Sequence, residues 1–202
     1  MKYDLVLHIE VESVIIVVIF KKNKNFNVYM SETAQCRLSF AIVQERGCVD
    51  YMNIAVIFTG GTIGSTIAKS GFITPDQRFP YKLLDLYEQK FGMEKNVKFE
   101  VSEPFQILSE NMCVENVNLL VNCVKEILEE QKIKKHYDGI IITHGTDTLQ
   151  YTAAILSYVF ERTEIPIILV SSDYPPEDVR ANALPNLRGA VTFIKELFSE
   201  VD

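Results

Sequence analysis

Three stretches of this chain are apolar at nearly every consecutive position: residues 53–58 (Asn-Ile-Ala-Val-Ile-Phe), 139–143 (Gly-Ile-Ile-Ile-Thr) and 166–170 (Pro-Ile-Ile-Leu-Val). A run without a polar face predicts a strand covered on both sides, as in a parallel sheet between helices. Between and after these runs the apolar period lengthens. Leu83, Leu84, Leu86 and Tyr87 predict a helix that starts at the Thr74-Pro75-Asp76 cap and stops near Gly92. Val114, Val117, Val121, Val124 and Leu128 fall three and four apart and predict a long amphipathic helix after Ser109-Glu110-Asn111. Its other face carries Lys125, Glu126, Glu129, Glu130 and Lys132, a solvated surface. Further helices are expected from about residue 149 to 162 and from 182 to 198, with Pro185 and Gly189 complicating the second; residues 97–101 read as one more strand.

Strands and helices alternating at this spacing predict right-handed βαβ units and an α/β fold, an open, mainly parallel sheet with helices on both faces. The first 51 residues differ. They are rich in β-branched residues, with strands expected at 14–20, 26–30 and 38–43 and a polar turn at 21–25. The chain is therefore divided into a β-rich extension of unknown role, residues 1–51, and an α/β domain, residues 52–202. The extension is read either as a start placed upstream of a true beginning at Met52 or as a genuine accessory element.

Composition narrows the function only by exclusion. A formal charge of −7 over 202 residues argues against non-specific nucleic-acid or anionic-membrane binding. The run at residues 13–20 is far shorter than the ~20 residues of a membrane helix and follows acidic, not basic, residues, so a cytoplasmic protein is expected. Cys36, Cys48, Cys113 and Cys123 form no paired motif and read as free thiols. With His8, His136 and His144 they make no metal-ligand spacing, so no metal site is expected.

Two motifs follow apolar strands and therefore fall at the carboxyl edge of the sheet, where ligands of such folds bind. Thr59-Gly-Gly-Thr-Ile-Gly64 has paired glycines that permit a tight turn and close backbone approach. It lacks the lysine and the spacing of a phosphate loop, which leaves nucleotide binding weakly supported. Thr143-His-Gly-Thr-Asp-Thr148 packs three hydroxyls and a carboxylate at a helix start, either as a cap or as chemistry. Two hydroxyl-bearing turns suit attack on a carbonyl, with backbone N–H groups for the oxyanion. A threonine nucleophile needs a base; His144 is one candidate, and a packed or capping role for it is the other.

These two motifs, in this order, resemble the signatures of bacterial-type asparaginases, as do Ser109-Glu-Asn-Met112, Val170-Ser-Ser-Asp-Tyr-Pro175 and Arg180-Ala-Asn-Ala-Leu-Pro-Asn-Leu187. The resemblance runs from Met52 to about Lys195 and implies the family's N-terminal, Rossmann-like or flavodoxin-like domain. It implies hydrolysis of L-asparagine to aspartate and ammonia, without a cofactor, and leaves open whether L-glutamine is accepted. Thr62 is then the nucleophile. Thr146 and Asp147 belong to a Thr–Lys–Asp group, and Gly61, Ser109, Glu110, Gly145 and Asp147 bind substrate. In such enzymes a C-terminal domain supports a homo-oligomer. Three departures stand out: Phe72 where the family commonly has a loop tyrosine, a catalytic lysine expected beyond Asp202, and the C-terminal domain expected there as well. The expectation is an asparaginase-type hydrolase impaired by truncation. The alternatives are a non-catalytic amino-acid-binding or interaction module, and the amidase subunit of a tRNA-dependent amidotransferase.

Overall fold

The computed structural model describes residues 5–11, 14–20, 51–67, 73–75, 79–91, 96–133 and 136–199. The strands expected at 26–30 and 38–43, the turn at 21–25 and Phe72 lie outside them. The described strands are β1 (Leu5–Val11), β2 (Val14–Phe20), β3 (Met52–Phe58), β4 (Ser65–Ile67), β5 (Ile73–Pro75), β6 (Val97–Ser102), β7 (Gly139–Thr143) and β8 (Ile167–Val170). The α-helices are α1 (Phe79–Phe91), α2 (Val114–Ile133), α3 (Leu149–Val159) and α4 (Ala183–Ser199).

Six strands form one sheet in the order β1-β2-β8-β7-β3-β6. β6, β3, β7 and β8 are mutually parallel, and β2 joins β8 antiparallel, with Ile16 opposite Val170 and Ile19 opposite Ile167. The open, mainly parallel α/β sheet read from the sequence is therefore present. The expected reading missed β1, whose Leu-Val-Leu-His-Ile-Glu-Val alternation pairs along its whole length with β2. This hairpin extends the same sheet as the α/β unit.

Helices cover both faces, as the unbroken apolar runs require. On one face Ile54, Val56 and Phe58 of β3, with Ile141, Ile168 and Val170, pack against Leu83 and Tyr87 of α1 and Leu187, Val191 and Ile194 of α4. On the other, Ala55, Ile57, Ile140, Ile142, Ile167 and Leu169 pack against α2 and α3. Burying each such Ile or Leu contributes roughly 1.5–3 kcal/mol.

Two boundaries and one buried face differ from the sequence reading. Helix α1 begins at Phe79, not at Thr74: Thr74 precedes Pro75, which drives it to extended backbone, and it pairs with Thr66 in the two-stranded β4–β5 ladder. Pro80 then occupies the first turn of α1, where its missing N–H is not needed. The buried stripe of α2 is Leu120, Val124 and Ile127, rotated from the expected one, and Val114 is 71% exposed. Helix α3 stops at Val159, short of the expected residue 162. Pro185 is harmless in α4, because the helix ladder starts one residue later, with the Asn186 N–H donating to Asn182 O at 3.0 Å.

Candidate active site

β3 lies between β6, which follows it in the chain, and β7, with β8 beyond. The strand order reverses between β3 and β7, and a crevice opens at such a switch point beyond the carboxyl ends of the strands. Phe58 and Thr143 end the two strands level with each other. Both threonine motifs are thus delivered to the place where this topology binds ligands.

The first loop is held by backbone. The Ile107 N–H donates to Thr59 O at 3.1 Å and the Gly61 N–H to Ile107 O at 2.7 Å, which carries the β3–β6 pairing past the strand ends. Gly60 and Gly61 have φ of 98° and 74°, a region that side chains rarely enter. A single 3-10 turn, Thr62–Gly64, follows; it is closed by the Gly64 N–H and the Ser65 hydroxyl, both donating to Gly61 O at 3.0 and 2.7 Å. Thr62 opens this turn and is partly exposed.

The second loop is sewn to the first. The Thr59 hydroxyl donates to Thr143 O at 2.6 Å, and the His144 N–H donates to Val170 O at 2.9 Å. Gly61 and Gly145 meet directly: a Cβ on Gly61 would stand 2.5 Å from Gly145 Cα. A Cβ on Gly145 would stand 2.6 Å from Ser109 Cβ and 3.2 Å from Gly61 Cα. The three segments therefore converge on one backbone seam that only glycine permits.

Ser109, nearly fully buried, opens the 3-10 turn Ser109–Asn111 and reaches into the second loop. Its hydroxyl donates to Asp147 Oδ2 at 3.1 Å and accepts from the Asp147 N–H at 3.2 Å; the Thr148 hydroxyl donates to Ser109 O at 3.0 Å. Asp147 is exposed and Thr146 partly so, both next to the seam. Glu110 is exposed on the same turn as Ser109. Thus Gly61, Ser109, Gly145 and Asp147 are in direct contact or hydrogen-bonded, with Thr62 and Thr146 adjoining them in sequence.

His144 is 0% exposed. Its Nδ1 lies 2.8 Å from Gly145 O and its Nε2 2.9 Å from the Thr152 hydroxyl. Burial pushes its pKa down, against a smaller upward pull from the Gly145 carbonyl. Both ring nitrogens are occupied, so of the two readings of His144 the packed role is the one the geometry supports. Lys195, the last lysine of the chain, does not stand in for the lysine that the resemblance expects beyond Asp202: its neighbour Ile194 lies against Gly139, at the start of β7 and thus the opposite edge of the sheet. Sequence reasoning missed Ile107 and Thr152, since neither lies in a motif and only the fold brings them to the loops. Among the described residues no group of His, Cys, Asp and Glu could hold a metal ion, and no helix is long and apolar enough to cross a membrane.

A family model for the N-terminal part of asparaginase matches residues 53–201. A glutamyl-tRNA(Gln) amidotransferase subunit of Methanococcus vannielii is 34% identical over 151 residues, which cover 72% of this chain and 33% of that protein. The L-asparaginase of Thermococcus kodakarensis is 33% identical over 150 residues, covering 73% of this chain and 42% of the relative. A solved structure of the thermostable L-asparaginase from Thermococcus kodakarensis superposes with a TM-score of 0.61 at 32% identity, over 72% of this chain and 41% of that one. The probable cytoplasmic L-asparaginase of Campylobacter jejuni gives a TM-score of 0.59 at 27% identity, over 71% and 41% of the two chains. The chain thus spans 33–42% of the length of these relatives. With the family match covering most of the chain, and with both motif loops meeting at the switch point of the matching fold, this chain belongs to the asparaginase family through that family's N-terminal domain.

Proposed function

We propose that this chain carries the nucleophile and substrate cradle of a side-chain amidohydrolase acting on L-asparagine. Thr62 Oγ attacks the amide carbonyl carbon; the C–N bond breaks and ammonia leaves with the hydroxyl proton, giving an acyl ester on Thr62. Water then attacks the ester, releasing aspartate and restoring the hydroxyl. The observation that carries this reading is the Gly61–Gly145 seam, which sets Thr62 beside a loop already tied to Ser109 through Asp147. Ser109 and Asp147 would take the α-carboxylate and α-amino groups, with Glu110 at the rim. Thr146 and Asp147 are the chain's own members of the Thr–Lys–Asp group that moves the proton, since His144 has no free nitrogen for it.

A second reading is favoured by the relatives named as glutamyl-tRNA(Gln) amidotransferase components, which match over as large a share of the chain, 72% against 73%, at identities close to that of the asparaginase. There the same threonine chemistry would release ammonia for a partner that acts on charged tRNA, with glutamine as a donor. The deciding experiment is ammonia release from L-asparagine and L-glutamine, beside a Thr62→Ala control. Release from free asparagine that disappears in Thr62→Ala supports the amidohydrolase. Release only with an amidotransferase partner and its aminoacyl-tRNA supports the second reading. Stabilisation by aspartate without any release would leave a binding module and overturn both.

A further inference from the structure

The His144 side chain is polar, wholly buried and bonded at both ring nitrogens, an arrangement that does more than fill space. A carbonyl oxygen only accepts, so the contact with Gly145 O requires the proton on Nδ1. Burial disfavours a charged ring, which leaves Nε2 bare and able to accept from the Thr152 hydroxyl. That hydroxyl has little competition: Thr148 O, the helical acceptor four residues back, already takes the N–H groups of Tyr151 and Thr152, each at 3.1 Å. The direction of donation therefore runs from Thr152 through the ring to Gly145 O.

Gly145 O belongs to the peptide that joins Gly145 to Thr146. A trans peptide is planar, with its N–H opposed to its C=O. A carbonyl turned toward the buried ring therefore turns the Thr146 N–H the other way. That N–H has no acceptor among the described residues.

We infer that Thr152 and His144 are positioning residues that lock the Gly145–Thr146 peptide, holding the Thr146 N–H out toward the ligand at the switch point. Naming that ligand, the oxygen of an amide or carboxylate, rests on the amidohydrolase reading; the lock itself does not. Thr152 lies on α3, eight residues beyond His144, so the second turn of the helix sets the orientation of the loop that precedes it.

The test compares the full chain with Thr152→Val, which keeps the shape and loses the hydroxyl, and Thr152→Ser, which keeps the hydroxyl. Imidazole 15N shifts report the tautomer, amide exchange reports the loop, and titration with L-aspartate reports the site. The wild type and Thr152→Ser should show the Nδ1–H form alone. Thr152→Val should show mixed tautomers, about tenfold faster exchange of the Asp147 amide with α3 interior amides unchanged, and about tenfold weaker aspartate binding. An Nε2–H ring in the wild type would overturn the lock, as would Thr152→Val with unchanged tautomer and loop exchange. If the wild type binds no aspartate and releases no ammonia, the amidohydrolase reading fails, while tautomer and exchange still decide the lock.

Discussion

Gly61→Ala is the sharpest perturbation of the seam. Gly61 sits at φ 74° and ψ −176°, a corner of backbone space that is essentially reserved for glycine. Forcing a side chain there costs about 1–3 kcal/mol. The new methyl would stand 2.5 Å from Gly145 Cα and 2.8 Å from His144 C, backbone atoms that cannot rotate aside as a side-chain tip would. Overpacking of this kind adds about 1–3 kcal/mol. The sum, about 2–6 kcal/mol, is a large part of the ~5–15 kcal/mol typical of a domain. Near its middle, and at about 2–4 °C per kcal/mol for a chain of this size, the melting temperature should fall by roughly 12 °C. Relief by pushing the loops apart would move Gly145 off Ser109, so aspartate should no longer raise the melting temperature of the variant. Thermal unfolding followed by far-UV circular dichroism, with and without L-aspartate, reads both effects. A variant melting within about 3 °C of wild type, less than 1–2 kcal/mol, would refute the argument that the two loops meet glycine to glycine.

The rotated stripe of α2 predicts that Leu120→Ala lowers stability by about 2–5 kcal/mol while Val114→Ala stays within about 0.5, measured by urea unfolding; the reverse ranking would restore the face read from periodicity. The Thr143 hydroxyl is buried without a partner among the described residues, so Thr143→Val should raise stability by about 1 kcal/mol in the same assay, and a loss would mean that the hydroxyl is satisfied. Because burial lowers the pKa of His144, the unfolded chain takes up the proton first on acidification. Stability should be full above the unfolded value of about 6.5 and decline as pH falls from there toward the folded value. Urea midpoints at stepped pH for wild type and His144→Asn check this, since the decline should be smaller in the variant and equal slopes would sink the assignment.

The legible part of the site was the pair of glycine-containing loops. Each follows a strand apolar on both faces, and the alternation of strand and helix sends all such loops to one edge. Ser109 was legible only through its neighbours, for nothing within Ser109-Glu110-Asn111 says that its hydroxyl meets Asp147, 38 residues away. Ile107 was invisible, because it contributes backbone alone, and backbone donors carry no residue-type signal. His144 stood in plain view with two roles open, and choosing between them took knowledge of what faces each ring nitrogen.

Local chemistry in the sequence determined the elements that matter most. Buried β-branched runs can only be covered strands, and paired glycines can only be close turns. What the tertiary structure decided was every choice among locally equivalent options. Helix α2 has apolar residues around more than one side, so periodicity permits several buried stripes, and contact with Ala55, Ile57, Ile140 and Ile142 selects Leu120, Val124 and Ile127. The β1–β2 hairpin has no sequence mark for its partner; its pairing with β8 fills the open edge of the sheet. The tautomer of His144 likewise follows from Gly145 O on one side and Thr152 on the other, groups brought to the ring by the turn into α3. Short-range sterics act within a few residues and can be read from order alone, whereas hydrogen-bond partners and buried faces are set by which surfaces the packed sheet brings together.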